Sequence, residues 1–135
     1  MSIPTLAHIG ATVTCVKVIS EADIALFSLV TDDRLPEADE PPNANEDLRV
    51  PVPAALVAAL LASAAARVAG AALPAAMERA DVRCLAVAQP DDTLTVVAEV
   101  TARDDSAQRI IARARCVDQA GRHLADGIFE LRGAE

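Results

Sequence analysis

Residues 31–40, "TDDRLPEADE", place five carboxylates, Asp32, Asp33, Glu37, Asp39 and Glu40, around one proline. Carboxylates so gathered could move protons in general acid-base catalysis or hold a cation, although such a run is ordinarily a solvated acidic surface. The spacing is not that of a calcium loop, and no Gly marks a sharp turn, so no metal is expected. A second candidate pair is Ser63 and Arg67, four residues apart in an otherwise apolar segment and able to hold a ligand. For that pair the plain alternatives are a serine bonded back to its own helix and an arginine complementing the helix dipole. His8, in the N-terminal segment, and His123, beside a turn before the last strand, each stand alone, with no sequence reason to meet Asp33.

The elements that must position these groups follow from patterning. "TVTCVKVI", residues 12–19, is β-branched and reads as a strand. Ser20 then serves as N-cap of a short helix, "SEADIALFSLV", with Asp23 completing a capping box and Ile24, Phe27 and Leu26 or Val30 forming its apolar stripe. The prolines and asparagines between Thr31 and about Arg49 exclude regular structure there. A loop of that length is usually functional or disordered.

"VPAALVAALLASAAARVAGAAL", residues 52–73, predicts a long helix with Pro53 in its first turn and Gly70 and Pro74 ending it. Arg67 inside it would cost about 2.5–3.5 kcal/mol at a bilayer centre, so the segment reads as buried in protein and not as a membrane span. A helix apolar nearly all round must be covered on several sides, leaving the Ser63–Arg67 face to meet solvent, ligand or partner.

Beyond Met77 the period changes to two. "DVRCLAVA" (81–88), "DTLTVVAEVTARD" (92–104), "QRIIARARCVD" (108–118) and "RHLADGIFEL" (122–131) are four strand candidates. Their short connections predict antiparallel neighbours. In the third, Ile110, Ala112, Ala114 and Cys116 share a core face, while Arg109, Ile111, Arg113, Arg115 and Val117 share a basic, solvated one.

The 135 residues suit a single domain, 1–135, with a real core. That core is built from small side chains, because Trp and Tyr are absent and only Phe27 and Phe129 are aromatic. A formal charge of −8 and so few aromatics argue against nucleic acid as a partner. Cys15, Cys84 and Cys116 read as buried free thiols, which fits the cytoplasm, and the N-terminus lacks the features of a secretory signal. The fold class that accommodates all of this is α+β, a curved antiparallel sheet wrapped around one long Ala-rich helix.

The order of elements, with "ISEADIALFSLVTDD", "DTLTVVAEVTARDD" and "RCVDQAGRHLADGIFEL", resembles the hotdog fold. More narrowly it is similar to the MaoC-like family of (R)-specific enoyl-CoA hydratases and dehydratases, including the domain fused to some phosphate acetyl/butyryltransferases. The resemblance runs from about Val13 to Leu131 and implies an acyl-CoA or acyl-carrier thioester as ligand and no cofactor. It also implies pairing as a homodimer or as a hotdog heterodimer.

The family's catalytic motif, Gly-Asp-x-Asn-Pro-x-His, supplies a carboxylate and an imidazole that converge on one water. Matched residue by residue, Asp33 falls on the catalytic Asp and Pro36 on the Pro, but Asp32 replaces the Gly, Leu35 the Asn and Ala38 the His. An Ala-His-Gly at the start of the family's central helix corresponds to "PVPAAL", without His or Gly, and "LAVAQP" (85–90) lacks the family's basic and aromatic residues. The resemblance therefore implies an enoyl-CoA hydratase-like protein whose activity is weak or lost. Its alternatives are an active hydratase with an unusual dyad and a non-catalytic subunit of a hotdog heterodimer. Thioesterase chemistry borne by the central helix is disfavoured, because no carboxylate lies between Pro53 and Gly70.

Overall fold

The computed structural model describes residues 7–31, 50–70 and 76–133. Their elements are β1 (Thr12–Val18), α1 (Glu21–Thr31), α2 (Ala54–Ala69), β2 (Ala76–Cys84), β3 (Thr93–Asp104), β4 (Arg109–Val117) and β5 (His123–Arg132). The strands form one antiparallel sheet in the order β1-β3-β4-β5-β2. Register shifts at Met77/Arg79, Val100/Ala102 and Cys116/Val117 interrupt the ladders. Each such irregularity bends and twists its strand, curving the sheet toward the helix it covers.

Helix α2 contacts all five strands. Val57, Leu61, Ala64, Ala65 and Val68 are buried, a stripe at the spacing of one helix face. The sheet answers with Leu94, Val96, Ala98 and Val100 from β3 and with Ile110, Ala112, Ala114 and Cys116 from β4. Alanine on both sides lets the helix lie close to the strands, as the small-residue composition requires. Solvent meets α2 at Ala55, Ala59, Ser63, Ala66 and Arg67, so the Ser63–Arg67 face is indeed the open one. Pro53 sits one position earlier than expected, at the N-cap, where its carbonyl accepts the amides of Leu56 (3.0 Å) and Val57 (3.2 Å).

The capping box of α1 forms as expected. Asp23 Oδ2 accepts the Ser20 amide at 2.9 Å, and Ser20 Oγ accepts the Asp23 amide at 3.2 Å. The Ser20 backbone bond, followed by its side-chain bond, holds the Asp23 carboxyl below its ordinary range. The apolar stripe differs from expectation. Ile24 and Ser28 face inward with Phe27 half-buried, whereas Leu26 and Val30 lie exposed on the far side.

The strand expected at 81–88 is displaced to Ala76–Cys84, and β2 pairs with β5 instead of β3. The cause is where the backbone groups of residues 85–92 find partners. Leu85 and Ala86 both donate to the Leu124 carbonyl, at 2.8 and 3.3 Å, which breaks ladder register. The Val87 carbonyl accepts Arg122 Nη2 at 2.7 Å, and the Ala88 carbonyl accepts the Val52 amide at 2.9 Å. Residues 85–92 thus cross the end of the β4–β5 hairpin to carry the chain from the outer strand β2 to β3.

Asp118 anchors that crossing. Its Oδ1 accepts the amides of Ala120 (3.0 Å) and Arg122 (2.9 Å), and its Oδ2 accepts Arg122 Nε at 3.1 Å, aiming the guanidinium at Val87. The Arg122 backbone bond is the main cause of an Asp118 carboxyl held below its ordinary range. A carboxyl depressed on folding contributes stability above the unfolded pKa of about 3.9, and that stability is lost as pH falls through the folded value. Asp118→Asn is therefore expected to lower the Tm by several degrees at neutral pH, with the gap to the parent closing on acidification below about pH 4. Thermal melts across that range check it; a gap independent of pH contradicts the assignment.

Candidate functional site

Asp33, with Asp32, Leu35, Pro36 and Ala38, lies outside the described residues. What the structure describes is the ground on either side. Helix α1 ends at Thr31, whose hydroxyl donates to the Phe27 carbonyl at 2.9 Å. The chain is described again from Val50, and Val52 is buried and bonded to Ala88 immediately before α2.

The start of α2 has no side-chain cap. Pro53 carries no amide hydrogen, and the exposed amides of Ala54 and Ala55 have no acceptor among the described residues. A helix start of this kind offers two N–H donors and the positive end of the dipole. It can polarise a carbonyl oxygen but holds no group that exchanges a proton.

Ser63 and Arg67 lie one turn apart on the exposed face of α2. Arg67 Nη1 donates to Cys15 Sγ at 2.8 Å, tying the last turn of the helix to β1. The Ser63 hydroxyl makes no hydrogen bond to another described residue, the carbonyls of its own helix included. The two share a face, and the partner the structure gives Arg67 is a thiol. Neither histidine joins them. His8 is exposed in the turn before β1, and His123 opens β5 on the opposite side of the sheet from α2.

The cysteines correct the expectation of three buried thiols, for only Cys116 is buried. Cys84 is exposed because it lies on the outer strand β2, and Cys15 is half-covered on the other outer strand. Burial, then the neighbouring Asp118 charge, pushes the Cys116 thiol up to about 11, leaving it without thiolate at neutral pH. Among the described residues no three His, Cys, Asp or Glu side chains gather in a way that could hold a metal ion. Among them, too, no helix is long and apolar enough to cross a membrane.

One feature of this surface escaped prediction. Alternation in β4 puts Arg113 and Arg115 on the outer face, but the pattern cannot say which strands flank them. In the structure β3 and β5 do, and between the three strands lies a cleft of about 390 Å³.

No protein-family model matches the chain, and no curated sequence does. Solved structures do match. The (R)-hydratase from A. caviae involved in PHA biosynthesis superposes with a TM-score of 0.79 at 19% identity, over 94% of this chain and 97% of that one. The R-hydratase PhaJ1 from Pseudomonas aeruginosa gives 0.78 at 24% identity, over 95% and 83%. The ChsH1-ChsH2 complex from Mycobacterium tuberculosis gives 0.74 at 19%, over 94% and 98%. The fold is the hotdog fold, α+β with an antiparallel sheet around a central helix.

Proposed function

We propose that this chain is a single-domain, cytoplasmic hotdog protein that binds acyl-CoA or acyl-carrier thioesters, of the MaoC-like kind, in which hydration of the double bond is weak or lost. The observation that carries the second half is Ala38, at the position where the resemblance calls for histidine. Hydration needs one group to take a proton from water and another to deliver one to the carbon beside the carbonyl. Asp33 could serve as the first. Leu35 and Ala38 bring no proton at all, and the amides at the start of α2 polarise without exchanging one. Thioester binding rests on the shared fold, on neighbours described as (R)-hydratases, and on the open N–H groups of Ala54 and Ala55.

The experiment is a calorimetric titration of the purified chain with butyryl-CoA beside free CoA. The expected result is at least tenfold tighter binding of the acylated ligand; equal affinities, or none, would remove the thioester reading.

A second reading, a non-catalytic subunit paired with another hotdog chain, is favoured by β2. That outer strand is exposed along nearly its whole length, with a ladder edge unpaired among the described residues and Met77, Leu85 and Val87 open on it and just beyond it. Such an edge is a template for another strand. One structural neighbour is itself part of a two-protein complex. Light scattering separates the cases: a stable homodimer weakens the heteromer, and a monomer or aggregate favours it.

A further inference from the structure

The outer face of the sheet, turned away from α2, carries a cleft of about 390 Å³ lined by Glu99 and Thr101 of β3, Arg113 and Arg115 of β4, and His123 and Asp126 of β5. We propose that this cleft is a binding site for a small phosphate-bearing organic molecule, held by Arg113 and Arg115. The inference does not depend on the thioester reading, which concerns the other side of the sheet.

The charges favour an anion. Asp126 is the cross-strand neighbour of both Arg115 and Arg83, and it is taken by Arg83 through two bonds of 3.0 and 3.2 Å. Arg113 stands opposite Glu99 in the ladder without forming an ion pair with it. Neither Arg113 nor Arg115 forms an ion pair among the described residues, although the Arg113 charge adds to the Arg83 bonds in holding the Asp126 carboxyl below its ordinary range. With Asp126 neutralised by Arg83, two guanidinium groups face one carboxylate, Glu99. A local positive surplus therefore persists in a chain of net charge −8.

Geometry narrows the anion. Arg113 and Arg115 are two residues apart on one face, about 6.6 Å along the strand. Two planar forks at that separation can close on the oxygens of one tetrahedral group, each offering paired N–H donors. The cleft falls within the ordinary range for small-molecule sites and exceeds what a bare phosphate fills. Val97 adds an apolar wall, while the Thr101 hydroxyl is directed to the Ile111 carbonyl at 3.3 Å. These suit an organic group attached to the phosphate.

The test is calorimetric titration of the whole chain with AMP, adenosine and inorganic phosphate at low salt, on the parent, the R113Q/R115Q double variant and R79Q. Both cleft arginines are exposed and outside the core, so the double variant is expected to fold, which its thermal melt verifies. The parent is expected to bind AMP at least tenfold more tightly than adenosine or inorganic phosphate. R113Q/R115Q should lose that preference and R79Q, altered on β2 outside the cleft, should keep it. Equal binding of AMP and adenosine, equal binding of AMP and inorganic phosphate, a preference surviving in R113Q/R115Q, or an equal loss in R79Q would each overturn the proposal.

Discussion

Phe129→Ala is expected to destabilise the protein by about 3–5 kcal/mol, the range for removing a large aromatic side chain from a core that cannot collapse around the void. Phe129 is fully buried, the largest such side chain among the described residues, in a core otherwise made of Ala, Val, Leu and Ile with Cys116. Small neighbours cannot extend into the space a ring leaves. The ring also has a made place, since a Cβ added at Gly127 would lie 2.8 Å from Phe129 Cε2 and 2.9 Å from Cζ. Gly127→Ala should therefore destabilise the parent, and it should cost less once Phe129 is alanine, although the Asp81 carbonyl at 3.2 Å leaves some cost in place. Urea denaturation of the two single variants and the double variant measures the coupling. Strictly additive losses would contradict the packing described.

Ala65→Leu is expected to cost about 1–3 kcal/mol by overpacking. Ala65 is fully buried on α2, and the strands α2 lies on present Ala98 and Ala112, also fully buried, and Ala114. The added carbons must push the helix from the sheet or force side chains off their rotamers. Ala59→Leu, on the exposed face of the same helix, supplies the control and should change stability little. Denaturation midpoints that fall equally for both would show that α2 does not use its small residues for close approach.

Legibility varied with how local each feature is. The capping box of α1, the end of α2 at Gly70 and the two faces of β4 depend on residues within a few positions of one another, and they stand as read, while the start of α2 moves by one position. The position of β2 was not legible. Its pairing with β5 lies in contacts some fifty residues away, and "LAVAQP" keeps strand-like composition while Leu124, Arg122 and Val52 take its backbone groups. The same distance explains the thiols: apolar surroundings in sequence suggested burial, but Cys15 and Cys84 fall on the two outer strands. The bond from Arg67 to Cys15 joins residues 52 apart and left no local trace. The outer cleft was half legible, with its arginines readable from alternation and its walls set by strand order.

For chemistry the balance is reversed, because the decisive residues, Asp33, Leu35 and Ala38, lie outside the described residues and speak through their types alone. The most direct measurement is therefore turnover itself, followed as loss of enoyl-thioester absorbance when the purified chain is mixed with crotonyl-CoA. The expected result is no hydration, or a rate at least a thousandfold below a hydratase that carries the imidazole, about the loss general acid-base groups account for. Robust hydration that Asp33→Asn abolishes would contradict it and establish a working site with a different partner for Asp33.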